Sequence, residues 1–200
     1  MKMNNLTNKR KKYFSLYEPR EDSFLLEKNV EILAFGKVLD MGTGTGIQAI
    51  AAANNKNSRS VMAADINKEA VLQVLDLCLN KKIPVTVVQS DLFENIEEKF
   101  DTIIFNPPYL PDEDEEDSKL CPLQDCALYG GKEGYELTER FLIQAKNHLT
   151  KNGQILLLFS SLTQKNVVDA ILKKEGYSFE QIDSMKLDFE ELYIYKITHN

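Results

Sequence analysis

Apolar residues along this chain fall into two alternating patterns, short uniform runs and longer stripes of helical spacing. Between Asp22 and Leu33 the positions Phe24, Leu25, Leu26, Val30, Ile32 and Leu33 predict a helix, with Pro19 suited to its first turn. Lys37–Met41 then reads as a short buried strand running into Gly42-Thr43-Gly44-Thr45-Gly46, and Ile47–Asn54 as a helix. Ser60–Ala64 is a second strand, ending at Asp65. Asn67 caps a helix over Lys68–Asn80. Pro84–Gln89 is a third, β-branched strand. Phe100–Phe105 is a fourth and leads directly into Asn106-Pro107-Pro108-Tyr109.

A long polar stretch, Leu110–Gly131, separates this half from the next. Helical spacing returns over Tyr135–Leu149. Gly153 marks a turn, Gln154–Phe159 is a strongly apolar strand, and Thr163–Lys174 is a helix that Gly176 ends. Two strands, near Phe179–Leu187 and Leu192–Ile197, close the chain. Strands alternating with helices predict an α/β fold with a mostly parallel sheet. The last two strands have no helix between them, so they predict an antiparallel hairpin at one edge.

Composition narrows the class. With 200 residues, 43% hydrophobic and 28% charged, the chain is an ordinary globular mixture and one domain is expected over 13–200. No apolar run is long enough to span a bilayer and the polar N-terminus lacks a signal-peptide core, so a cytoplasmic location and no membrane partner are expected. Three cysteines, Cys78, Cys121 and Cys126, without paired spacing predict neither a disulfide framework nor a zinc site. The net charge of −7 is uneven. Residues 1–12 carry five basic side chains and read as a flexible tail, leaving 19 basic against 31 acidic side chains in the remainder. A body that acidic argues against nucleic acid as a partner.

The candidate chemistry lies where strands end. Glycines in the Asp40–Gly46 segment let the backbone turn sharply and approach a ligand, although the spacing also fits a merely tight strand-to-helix turn. Asp65 can accept hydrogen bonds from two ribose hydroxyls; alternatively it is a helix-capping acid. Asp91 follows the third strand and Asn106 the fourth. In an open parallel sheet ligands sit outside these carboxyl ends, so Asp40, Asp65, Asp91 and Asn106 are expected to converge.

Asn106-Pro107-Pro108-Tyr109 suits one chemical problem, methyl transfer to an amide or aryl-amine nitrogen whose lone pair is delocalised. The Asn106 side-chain oxygen and the Pro107 carbonyl can accept both N–H groups and favour a pyramidal nitrogen. Proline supplies no competing N–H. Tyr109 offers a flat face to a planar group. The alternative is a turn that ends a buried strand.

In order and spacing these motifs resemble those of class I S-adenosylmethionine-dependent methyltransferases that act on amino groups. Tyr17-Glu18-Pro19-Arg20-Glu21-Asp22-Ser23-Phe24-Leu25-Leu26 resembles the signature of the HemK-like release-factor glutamine methyltransferases in their short archaeal and eukaryotic form. Ala127–Gly134 resembles that family's A-x-x-G-G-x-x-G segment. The resemblance implies a Rossmann-like, seven-stranded methyltransferase domain that uses S-adenosyl-L-methionine. It also implies methylation of the glutamine in the Gly-Gly-Gln loop of a class I peptide-chain release factor. By carry-over, Ser23, Asp40 and Gly42 meet the cofactor's methionine end beside Gly44, Asp65 holds the ribose, and Asp91 and Leu92 meet the adenine. Asn106 lies between cofactor and substrate, with Pro107, Pro108 and Tyr109 on the substrate side. A small zinc-binding activator is an expected partner, with Pro84–Gln89 as a suitable edge for strand addition. The acidic run 112–117 either attracts a basic substrate surface or is a solvated loop. Two competing readings are an adenine-N6 methyltransferase acting on RNA or DNA and a non-catalytic cofactor-binding subunit.

Overall fold

The computed structural model describes residues 18–111 and 129–199. The basic tail, Tyr17, the acidic run 112–117, Cys121 and Cys126 therefore lie outside the described residues. The first half runs α1 (Glu21–Leu33), β1 (Gly36–Met41), α2 (Ile47–Asn54), β2 (Ser58–Asp65), α3 (Lys68–Lys81), β3 (Val85–Gln89) and β4 (Phe100–Phe105). The second half runs β5 (Leu110–Pro111), β6 (Tyr129–Gly131), α4 (Glu136–Ala145), β7 (Leu149–Ser160), α5 (Lys165–Lys174), β8 (Tyr177–Lys186) and β9 (Glu191–His199). Asn67 caps α3 as expected, its side chain accepting from the Glu69 N–H at 2.9 Å.

Seven strands form one sheet in the order β3-β2-β1-β4-β7-β9-β8. The first five pair in parallel, while β9 runs antiparallel to both β7 and β8, which is the expected closing hairpin. Helices α1, α2 and α3 cover one face through Leu26, Val30, Ala52, Val74 and Cys78. Helices α4 and α5 cover the other through Phe141, Leu142, Ile171 and Leu172. Among the described residues no helix is long and apolar enough to cross a membrane.

The chain passes from β1 outward to β3, then returns so that β4 lies on the other side of β1. This reversal opens a crevice at the carboxyl ends of β1 and β4, where α/β folds place ligands. Met41 is in register with Phe105, so the glycine loop and Asn106 leave the sheet side by side.

Two sequence expectations are corrected. Helix α4 stops at Ala145 rather than Leu149, and β7 begins at Leu149 rather than Gln154. Gly153 is therefore inside a strand. A Cβ there would meet the Phe100 carbonyl at 2.9 Å, beside the register shift between Phe100 and Thr102, so glycine marks a close passage and not a turn. Within the stretch 110–131, expected to be a long acidic loop on the substrate side, the described ends pair as the parallel strands β5 and β6.

Candidate functional site

Of the sequence-predicted residues, Asp40 and Asp65 lie at the ends of β1 and β2, Asp91 and Asn106 follow β3 and β4, and Ser23 lies in α1. Asp40, 1% exposed, points its Oδ2 back over the glycine loop, accepting from Thr43 Oγ1 at 2.6 Å and from the Ala49 N–H at 2.9 Å. One carboxyl oxygen thus closes the loop and anchors the first turn of α2. Asp65, at the end of β2, reaches across the same loop. Its Oδ2 accepts from the Gly44 N–H at 2.9 Å and its Oδ1 from the Asn67 N–H at 2.8 Å. Gly44 has φ +53, and a Cβ built on it would stand in open space, with no protein atom nearer than the Gly42 carbonyl at 4.0 Å. Gly42 itself is exposed.

Burial pushes the Asp40 carboxyl up to about 7; Thr43 and the Ala49 amide pull it back, while the Asp65 charge pushes it further. Burial also raises Asp65, against the hydrogen bonds of Asn67, Gly44 and Ile66. Two acids in one water-poor crevice favour a ligand that brings positive charge or hydroxyl donors.

Ser23 sits buried in the first turn of α1, its Oγ donating to Asp22 Oδ1 at 3.3 Å. Gln48 of α2 donates to the Ser23 carbonyl at 2.8 Å, which ties the start of α1 to the helix that follows the glycine loop. Asp91, after β3, is engaged by Arg140 of α4 at 3.0 Å. Leu92 is buried in a left-handed conformation, φ +47, uncommon for a branched residue. The buried Ser90 hydroxyl holds that geometry by donating to the Leu92 carbonyl at 2.7 Å and accepting from the Asn95 N–H at 3.0 Å.

Asn106 donates from Nδ2 to Asp22 Oδ2 at 2.9 Å. Its other side-chain atom, Oδ1, is buried with no hydrogen-bond partner. Leaving such an acceptor unpaired costs about 1–3 kcal/mol, so it is a group waiting for a donor. Asn106 through Leu110 line a cavity of about 220 Å³, completed by Arg20, Glu21 and Asp22 on one side and by Leu187, Glu190 and Leu192 of the terminal hairpin on the other. Pro107 is buried; Pro108 and Tyr109 are half-buried. The β5–β6 pair brings Gly130 against this loop, where a Cβ would meet the Pro108 carbonyl at 2.5 Å.

The structure thus gathers Ser23, Asp40, Gly42, Gly44, Asp65, Asp91, Leu92 and Asn106–Tyr109 at the carboxyl end of the parallel strands. Sequence reading gave no part to Asp22, Gln48, Ser90, Arg140 or the hairpin wall. For Asp22 the signal was present, as it stands beside Ser23 in the quoted signature. The rest depend on contacts between distant segments.

A glycine loop after β1, an acid after β2 and an unpaired amide acceptor after β4, on this strand order, define a class I S-adenosylmethionine-dependent methyltransferase. The sequence comparisons narrow the class. The family model for the methyltransferase small domain matches residues 8–121, and the chain belongs to that family. A Methanocaldococcus jannaschii protein named for N5-glutamine methylation of proteins is 40% identical over 179 residues, covering 90% of this chain and 89% of that one. The release factor glutamine methyltransferase of Lactococcus lactis is 34% identical over 142 residues, covering 70% of this chain but only 52% of its own length. Among solved structures, Mtq2 from the E. cuniculi Mtq2–Trm112 complex, described as methylating the translation termination factor eRF1, superposes with a TM-score of 0.70. It is 29% identical, over 92% of this chain and 99% of that one.

Proposed function

We propose that this enzyme methylates a protein glutamine side-chain amide, the glutamine of the Gly-Gly-Gln loop of a class I release factor. The carrying observation is the buried, unpartnered Asn106 Oδ1 beside the cavity. A hydroxyl or thiol nucleophile brings one hydrogen, whereas a carboxamide brings two N–H donors. Asn106 Oδ1 and the Pro107 carbonyl take both, which draws the lone pair out of conjugation. Bound S-adenosylmethionine supplies an electrophilic methyl group on a sulfonium sulfur. As positive charge grows on the nitrogen the two acceptors bind more tightly, so they favour the transition state over the bound amide. The nitrogen loses its proton to solvent after methylation, and no side chain has to remove it beforehand.

The names of the relatives support this reading. The Lactococcus lactis enzyme is a release factor glutamine methyltransferase, and the E. cuniculi complex is described as acting on eRF1. The Trm112 of that complex supports a small activator here too. Strand β3 is an edge strand, and beside it Leu72, Leu75 and Leu79 of α3 are exposed apolar residues suited to a partner that adds a strand. For the cofactor, Asp40 and Ser23 meet the methionine end beside Gly42 and Gly44, Asp65 the ribose, and Asp91 and Leu92 the adenine.

The deciding experiment is methyl transfer from labelled cofactor to a class I release factor, to its variant with the loop glutamine replaced by alanine, and to total RNA and DNA. Each arm is run with and without a Trm112-like activator. Label on the release factor that vanishes in the variant supports the proposal. Label on RNA or DNA alone replaces it with adenine methylation at the same site.

Two further results are expected. Asp40 is protonated up to about 7, which favours the unliganded fold at low pH; that contribution is lost as the pH rises through 7. A cationic ligand prefers the ionised acid, so its affinity moves the other way. Between pH 5.5 and 7, where the cofactor's amino group stays charged, calorimetry should show affinity rising about ten-fold, and Asp40→Asn should flatten the profile. Gly130→Ala places a Cβ against the carbonyls of both Gly134 and Pro108, so it should push the loop behind Asn106 out of place, lowering kcat by about ten-fold with cofactor affinity unchanged. Unaltered kcat would show that the loop is not held by β6.

A further inference from the structure

We propose that Asp22 is a positioning residue that acts through Asn106, holding its amide so that Oδ1 and not Nδ2 faces the methyl-accepting nitrogen. The inference rests on the reading of Asn106 given above.

A carboxamide has two ends of nearly equal size, and packing alone does not distinguish them. Hydrogen bonding does. Asp22 is 4% exposed in the first turn of α1, and both its oxygens act as acceptors, Oδ1 from Ser23 Oγ and Oδ2 from Asn106 Nδ2. An amide oxygen turned toward Asp22 would set acceptor against acceptor. The Asn106 nitrogen therefore faces Asp22, and the oxygen is left without a protein partner. If the amide were reversed, the site would present an N–H donor to the substrate N–H, and the lone pair would not be freed.

Two helices fix Asp22 in place. It is held by the start of α1, where a negative group is favoured. The Gln48–Ser23 hydrogen bond ties that turn to α2, and Arg20, Glu21 and Asp22 together line the cavity wall opposite the hairpin. Asp22 also polarises the Asn106 amide through the shared N–H. Electron density moves toward Oδ1, so the acceptor strengthens as charge develops on the substrate nitrogen. The methyl carbon still leaves the sulfonium sulfur, which keeps the bonding pair, and joins nitrogen through the nitrogen lone pair. Asp22 neither gains nor loses a proton in that step.

Two consequences follow. The loss on replacing Asp22 falls on kcat, with little change in cofactor affinity. It also disappears once Asn106 has no amide to orient. The test is a double-mutant cycle in the full chain, with any required activator present, under single-turnover conditions. Asp22→Leu should lower the methyl-transfer rate by about ten-fold. The same substitution on an Asn106→Ala background should change the residual rate less than two-fold. Exchanging the pair, Asp22→Asn with Asn106→Asp, lets position 22 donate while position 106 keeps an acceptor toward substrate, and should recover rate relative to either single change.

Additive losses in the cycle, or no recovery in the exchanged pair, would overturn the proposal. If Asn106→Ala leaves the rate unchanged, the underlying reading of Asn106 fails instead. A measurement on the unsubstituted protein covers the case in which the variants do not fold. With ¹⁵N-asparagine labelling, one Asn106 side-chain N–H proton should be strongly protected from solvent exchange. Exchange of both at the free-amide rate would show that Asp22 does not hold the amide.

Discussion

Asn106→Ala is expected to lower methyl transfer by at least about 100-fold while leaving the protein folded. The size follows from what is removed. Asn106 Oδ1 is a buried acceptor paired with no protein group, on a residue that lines the cavity, and under the proposed function it receives one N–H of the reacting amide. Removing one such group from a site that stabilises developing charge typically costs two to three orders of magnitude in turnover. The fold should tolerate the change, because Asn106 is only half-buried and its side chain is tied to the protein by the hydrogen bond to Asp22. That loss withdraws one donor from Asp22, about 1–3 kcal/mol, within the stability of an ordinary domain. Single-turnover rates, thermal unfolding and calorimetric cofactor binding together decide the matter. A rate within three-fold of the unsubstituted enzyme, on a folded and cofactor-bound protein, would remove Asn106 from the chemistry.

Asp65→Ala should weaken binding of S-adenosylmethionine and S-adenosylhomocysteine by about 100-fold, the largest effect on affinity of any single change here. Its carboxyl serves two purposes. It accepts from the Gly44 and Asn67 amides, which shapes the glycine loop, and under the proposed cofactor assignment its remaining lone pairs accept from two ribose hydroxyls. Hydrogen bonds to a charged group contribute about 1.5–3 kcal/mol each, and alanine removes them together with the anchor of the loop. Asp91→Ala should cost much less. Asp91 stands at a more open position and already faces Arg140, 53% exposed in its side chain, in an ion pair of the surface kind. Titration calorimetry on both variants gives the comparison. Equal losses at positions 65 and 91 would mean that the ribose is not held by Asp65.

Much of this was legible from local patterns. Glycine-rich turns, an asparagine before two prolines and short β-branched runs act within a few residues of themselves, so their elements and order follow from the chain directly. The Asn67 cap is the simplest case, since donor and acceptor are two residues apart. The errors have a common cause. By residue type Gly153 predicts a turn, but its environment is the Phe100 carbonyl more than fifty positions away. The pairing of β5 with β6 leaves no trace in the sequence, because these strands are two and three residues long, too short for any period to show.

The sequence by itself determined the class of fold, the ends of the strands that carry polar groups, and the kind of nitrogen chemistry that Asn106-Pro107-Pro108-Tyr109 suits. Only the tertiary structure decided how those groups are aimed. The strand reversal puts Asn106 beside the glycine loop, and the terminal hairpin supplies a cavity wall from some eighty residues away. The amide orientation of Asn106 is set by an acid 84 positions earlier in the chain. A side chain's preferred backbone geometry is a property of its neighbours in sequence. The direction of its hydrogen bonds, and whether an acceptor stays unpaired, depend on which distant groups the packed sheet brings within about 3 Å.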